Sequence, residues 1–129
     1  MKLKNQNKVL IVGGGGYIGN VVTSYLLKKK FNVTNFDCFI YEKSKMLIGK
    51  KSNFKKINII DINKLDKNWK NYKIIIYLSG LVGDPITKKY PKAANKINIE
   101  GIRNVLQIFK NKELDRVIFI STCSNYGLI

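Results

Sequence analysis

Val9-Leu10-Ile11-Val12-Gly13-Gly14-Gly15-Gly16-Tyr17-Ile18-Gly19 is an apolar run that breaks into four glycines and then resumes with helical spacing. A strand, a glycine turn and a helix in that order open a dinucleotide-binding unit. Gly14, Gly16 and Gly19 satisfy G-x-G-x-x-G, and Gly13, Gly16 and Gly19 satisfy the wider G-x-x-G-x-x-G. The first glycine permits the tight turn out of the strand, the middle one lets backbone approach a pyrophosphate, and the last allows close helix packing. Amides at the start of the helix, around Tyr17 and Ile18, then face the phosphates.

Glycine-rich turns also occur in loops that bind nothing, so the flanking sequence has to carry the inference. Lys8 to Val12 reads as a buried parallel strand, and Tyr17 to Lys30 carries Ile18, Val21, Val22, Tyr25, Leu26 and Leu27 at helical spacing. A second β-rich run, Phe31 to Phe36, ends at Asp37, which lies 18 residues beyond Gly19. That is near the roughly 20 expected for the carboxylate that accepts hydrogen bonds from an adenosine ribose. Such an acid repels a 2′-phosphate and favours NAD over NADP. The alternative for Asp37 is a solvated acid in a strand-to-helix turn.

The chain has 129 residues and a net charge of +16. Its length predicts one domain, residues 1–129, large enough for a core. All but Arg103 and Arg116 of the 24 basic residues are Lys, and they are scattered. Specific nucleic-acid readers group their positive charge and favour Arg, so no nucleic-acid partner is expected. There is no His, and Cys38 and Cys123 lack metal-ligand spacing, so no metal site is expected. No stretch is apolar for long enough to span a bilayer, and the basic start at Met1 runs into glycines rather than a cleavage site. The expectation is a cytoplasmic protein with reduced thiols and no membrane partner.

Further along, Ile40 to Lys50 holds a possible short helix, Phe54 to Ile60 reads as a third strand ending at Asp61, and Ile62 to Asn71 is a short connection. Lys73 to Ser79 reads as a fully buried strand, Ala93 to Lys112 as a helix with Ile97, Ile102, Val105, Leu106, Ile108 and Phe109 largely on one face, and Arg116 to Ser121 as a fifth strand. Strands alternating with helices predict an α/β, Rossmann-type doubly wound parallel sheet of order 3-2-1-4-5. A ligand is expected at the carboxyl ends beside the first strand, where the order reverses.

Five segments together resemble the extended short-chain dehydrogenase/reductases, specifically the NAD-dependent epimerase/dehydratase group that acts on nucleotide sugars. They are Gly13 to Gly19; Asp61-Ile62; Tyr77-Leu78-Ser79-Gly80-Leu81-Val82-Gly83-Asp84-Pro85; Asn98-x-x-Gly101-x-x-Asn104-Val105-Leu106; and Phe119 to Gly127. The resemblance implies that Asp61 and Ile62 contact adenine, that Leu78, Ser79 and Gly80 line the nicotinamide end, and that Thr122 is the catalytic hydroxyl on the reacting sugar oxygen. Thr122 can also be read as a residue closing a strand end. Tyr126 and Cys123 read as packing residues, and Asp84 as part of a turn with Pro85. Tyr77 stands where the group has His, and Ser79-Gly80 where it has Ala-Ala, which predicts a slightly altered nicotinamide pocket.

The group's catalytic Tyr-x-x-x-Lys pair belongs on a helix after the fifth strand. The two matches present, Tyr25 to Lys29 and Tyr41 to Lys45, follow the first and second strands instead. The expectation is therefore the amino-terminal, NAD-binding portion of a longer nucleotide-sugar epimerase or dehydratase, its fold lacking the carboxy-terminal part and inactive alone. It should self-associate through the exposed Ala93 to Lys112 helix and the edge of the fifth strand. The competing readings are a non-catalytic NAD-binding module and a reductase acting on steroid-like or phenolic carbonyls.

Overall fold

A computed structural model describes residues 8–40, 53–61, 71–122 and 126–127. Five strands run parallel: β1 (Lys8–Val12), β2 (Asn32–Asp37), β3 (Asn53–Lys56), β4 (Ile74–Tyr77) and β5 (Arg116–Phe119), in the order β3-β2-β1-β4-β5. The order reverses between β1 and β4, as expected. Registers fix the levels across the sheet: Val12 lies beside Phe36 on one side and Tyr77 on the other, Asp37 beside Lys56, and Tyr77 beside Phe119.

Successive side chains of β1 point to opposite faces, which divides the core in two. Leu10 and Val12 join Phe36, Ile59, Ile75, Tyr77, Val105 and Phe109 on one face. Val9 and Ile11 join Val33 and Ile76 on the other, covered by Val22, Leu26 and Leu27 of the helix α1 (Tyr17–Lys28). On the opposite side of α1, Ile18, Val21 and Tyr25 are exposed.

The expected elements occur with shifted bounds. The helix predicted through Lys30 ends at Lys28, because Lys30 turns left-handed at φ 64° and closes a Schellman motif in which Phe31 N–H donates to Leu26 C=O and Lys30 N–H to Leu27 C=O, both at 3.0 Å. β3 stops at Lys56 rather than Ile60. There the Asn58 side chain accepts the Ile60 N–H at 3.2 Å and its carbonyl accepts the Asp61 N–H at 3.0 Å, a local turn that competes with the ladder. β4 and β5 are likewise shorter than predicted at both ends or at the carboxyl end.

The helix predicted over Ala93 to Lys112 begins earlier, at Pro91, and stops at Ile108. It comprises α3 (Pro91–Asn95), a π-helical stretch (Lys96–Gly101) and α4 (Ile102–Ile108). Proline suits a first helical position, and Asn111 at φ 65° belongs to the turn that follows. Leu106, assigned to the apolar face, points outward. Asp84 opens the helix α2 (Asp84–Lys89) rather than sitting in a turn, and pairs with Lys88 one helical turn on at 3.2 Å. All but the first residue of the short helix expected over Ile40 to Lys50, and most of the Ile62 to Asn71 connection, lie outside the described residues.

Candidate functional site

The glycine turn folds over the carboxyl end of β2. Gly13 and Gly14 N–H both donate to Phe36 C=O, at 2.7 and 3.3 Å. Gly13 has φ 85°, and a Cβ there would stand 2.7 Å from the Ser79 nitrogen, so the tight turn falls to Gly13 rather than Gly14. At Gly19 a Cβ would come within 2.6 Å of the Gly14 Cα, so the third glycine packs the helix against the turn itself. Gly16 differs from both: the nearest atom to its imagined Cβ is the Gly13 oxygen at 3.5 Å. Among the described residues nothing else lies close to that position, so the surface of Gly16 is open.

That cleft lies at the carboxyl ends of β1, β2 and β4. It is lined by Gly13, Gly15 and Gly16 on one side, Asp37, Cys38, Ile40, Asn58 and Ile59 at one end, and Leu78, Ser79, Gly80, Leu81 and Ile97 at the other. Gly13, Gly16, Asp37, Leu78, Ser79 and Gly80, singled out by sequence, thus come together. Asp37 is held by two backbone donors, Gly15 N–H to Oδ2 at 2.8 Å and Phe39 N–H to Oδ1 at 2.7 Å. Each carboxylate oxygen retains acceptor capacity. Phe39 reaches its position with φ 53°, a left-handed conformation costly for a bulky side chain, and packs on Phe54 with ring centroids 5.7 Å apart.

Other expected residues lie apart from the cleft lining. Tyr17 and Ile18 project outward from the first turn of α1, so only their backbone can serve the turn. Asp61 is half-buried beyond Asn58, and Ile62 is outside the described residues. Thr122 is exposed, just past β5 at the same end of the sheet as the cleft. Tyr25 and Lys29 sit on the outer side of α1, the ammonium 5.7 Å from the ring centroid, while Tyr41 and Lys45 are not described. Tyr77 turns into the core, so the His-to-Tyr departure does not reach the cleft lining. Its hydroxyl is buried without a hydrogen-bond partner among the described residues, and burial pushes the phenol up to about 12.

Sequence reasoning missed the end formed by Cys38, Ile40, Asn58 and Ile59, and also the support behind Leu81. The Asn98 carboxamide pairs with that residue's backbone as a second strand would, accepting its N–H and donating to its C=O, both at 2.8 Å. Asn98 lies in the π-helical stretch, a distortion common where a helix serves a site. The asparagine was visible in the Asn98-x-x-Gly101 pattern, but the contact over 17 residues of chain was not.

A parallel sheet reverses beside a glycine turn, with an acid ending the second strand, and residues 9–128 match the NAD dependent epimerase/dehydratase family. The chain belongs to that family. Among curated relatives, this family member is 29% identical over 131 residues to a UDP-glucose 4-epimerase of Schizosaccharomyces pombe, covering 95% of the chain and 37% of the relative. It is 34% identical over 128 residues to a UDP-N-acetyl-alpha-D-glucosaminuronate decarboxylase of Bacillus cytotoxicus, covering 95% and 38%. Its fold superposes with a TM-score of 0.83 on the UDP-glucuronic acid 4-epimerase of Bacillus cereus, solved with UDP-glucuronic acid and NAD, at 24% identity, over 95% of this chain and 42% of that one. The family member therefore spans less than half the length of these proteins. Among its described residues no helix is long and apolar enough to cross a membrane, and no cluster of His, Cys, Asp and Glu could hold a metal.

Proposed function

We propose that the cleft binds NAD and that the chain is the cofactor-holding portion of an enzyme that epimerises or dehydrates a nucleotide sugar. The observation that carries the reading is the contrast at the turn: a Cβ on Gly13, Gly14, Gly15 or Gly19 would crowd another part of the fold, whereas one on Gly16 would meet only the Gly13 oxygen, at 3.5 Å. A diphosphate needs that bare surface, together with the amides at the start of α1. Asp37, fixed by Gly15 and Phe39, accepts the adenosine ribose hydroxyls and repels a 2′-phosphate. Asp61 and Ile62 serve the adenine end, Leu78, Ser79 and Gly80 serve the nicotinamide end, and Thr122 donates to or accepts from the sugar oxygen that reacts.

When bound, NAD takes a hydride from the sugar ring and returns it. The relatives named for UDP-sugars support that substrate class, and their greater length supports a longer working enzyme. The same proposal includes self-association through β5, whose Val117, Ile118 and Phe119 are exposed. Calorimetric titration with NAD and NADP tests the reading: NAD should bind the tighter of the two. Absence of NAD binding, or a preference for NADP, would refute it.

A further inference from the structure

Beneath the glycine turn the fold buries polar side chains where it packs apolar ones elsewhere. Asn20 and Thr23, one turn apart on α1, are 7% and 0% exposed, and Asn35, in the middle of β2, is 0% exposed. Burying a carboxamide or hydroxyl costs free energy unless its polar atoms are matched. Thr23 Oγ1 donates to Asn35 Oδ1 at 3.0 Å, and the Asn35 carboxamide fills the space that a Cβ on Gly14 would occupy. The Asn20 side-chain Nδ2 donates to the carbonyl oxygens of both Gly15, at 3.2 Å, and Gly16, at 2.8 Å. The Asn20 backbone N–H also donates to the Gly16 oxygen, at 3.0 Å.

The orientation of the Asn20 carboxamide follows from its partners. Its NH2 end meets two carbonyl oxygens, and the reverse orientation would set three oxygens against one another. Its own Oδ1 is buried without a partner among the described residues, a cost that a leucine or alanine at this position would not carry. A helical position facing the core is ordinarily apolar, as Val22 and Leu26 are on the same helix.

We infer that Asn20 is a positioning residue for the dinucleotide site, an inference that rests on the NAD reading above. A trans peptide holds its C=O and N–H antiparallel. Anchoring the Gly15 and Gly16 oxygens on the inner side therefore turns the amides of the same two peptide planes, those of Gly16 and Tyr17, away from Asn20. The Gly16 amide donates to the Gly13 oxygen at 3.3 Å, closing the turn, which leaves the Tyr17 amide as the donor directed away from Asn20. Asn20 thus fixes in advance the Tyr17 donor that a diphosphate would meet and the turn that presents it, without touching the ligand. Thr23 and Asn35 brace the same turn from below through Gly14.

The test is the affinity of the purified protein for NAD, ADP and adenosine, measured for the unaltered protein, Asn20→Ala and Asn20→Ser. Losing a hydrogen-bonded anchor of this kind should weaken NAD and ADP about three- to tenfold in Asn20→Ala. Adenosine, which has no phosphate, should bind unchanged, and hydrogen exchange at the Gly16 and Tyr17 amides should quicken. Asn20→Ser can still bond the Gly16 oxygen four residues back, so it should recover part of the loss. If Asn20→Ala does not fold, Asn20→Ser carries the comparison, with ADP weakened and adenosine not.

Equal ADP affinity in a folded variant and the unaltered protein would overturn the inference, as would an equal loss for ADP and adenosine, which is the mark of a merely structural residue. An unaltered protein that binds neither NAD nor ADP would overturn the NAD reading along with it.

Discussion

β1 and β5 are nearly the same sentence written twice, Lys-Val-Leu-Ile-Val and Arg-Val-Ile-Phe, each a basic residue followed by β-favouring apolar ones in one parallel sheet. In β1, Val9 is 1% exposed and Leu10, Ile11 and Val12 are 0% exposed; in β5, Val117, Ile118 and Phe119 are 43%, 36% and 51% exposed. The difference is one of neighbours. β1 lies between β2 and β4 with helices on both faces, whereas β5 pairs only with β4 among the described residues. Composition specifies that a segment is a strand, but its place in the sheet decides how much that strand contributes to stability.

The sharpest way to break this comparison is truncation on each strand. Leu10→Ala should destabilise by about 2–5 kcal/mol, the range for a fully buried leucine. Val117→Ala, at a half-exposed site, should cost under about 1 kcal/mol. Chemical denaturation of both variants checks the contrast, and equal losses would show that β5 is buried in the protein as it occurs in solution. A charge on the same strand probes the other side of the question. Ile118→Lys should shift the protein toward the monomer in sedimentation if β5 is the surface through which copies associate.

Next in size are two substitutions at the carboxyl ends of β1 and β2, in the proposed cofactor cleft. Gly16→Val should abolish NAD binding with little change in folding, because only the Gly13 oxygen lies near its Cβ. Unchanged NAD affinity in that variant would remove the turn from the site. Asp37→Ala should narrow the preference for NAD over NADP and also cost about 1–3 kcal/mol, since the Gly15 and Phe39 amides lose their acceptor. Paired NAD and NADP titrations alongside thermal melting separate the two effects.

The cleft's core was legible because its residues are local in sequence: a strand, a glycine turn, a helix and an acid 18 residues on. Strand order was legible for the same reason, since the alternation of strands and helices admits few topologies. Boundaries were not, because they turned on single residues adopting unexpected turns, Lys30 and Asn111 at positive φ and Asn58 ending β3. Neither was the non-local bracing. Asn98 on Leu81, and Thr23 on Asn35, join residues whose proximity only the folded sheet creates. Nor could periodicity tell that half of α1's apolar residues face outward, since Ile18, Val21 and Tyr25 fit a helical pattern as well as Val22, Leu26 and Leu27 do.

The smallest expected effect lies on the seam between the two regions. Tyr77 on β4 contributes its ring to the core beside β1, 5.8 Å from the ring of Phe119 on β5, yet its hydroxyl finds no partner among the described residues. Tyr77→Phe keeps the ring and deletes the unmatched group, so stability near neutral pH should be unchanged or higher by up to about 1 kcal/mol. Burial lifts the phenol from 10.0 to about 12, so the native state holds this proton more tightly than the unfolded chain does. The resulting stability is complete below pH 10 and is lost as the pH climbs from 10 toward about 12. The unaltered protein should therefore weaken over that alkaline interval by more than Tyr77→Phe, in denaturant titrations run at matched pH. If the two weaken in parallel, water reaches the hydroxyl in solution, and the seam there is less dry than the core around β1.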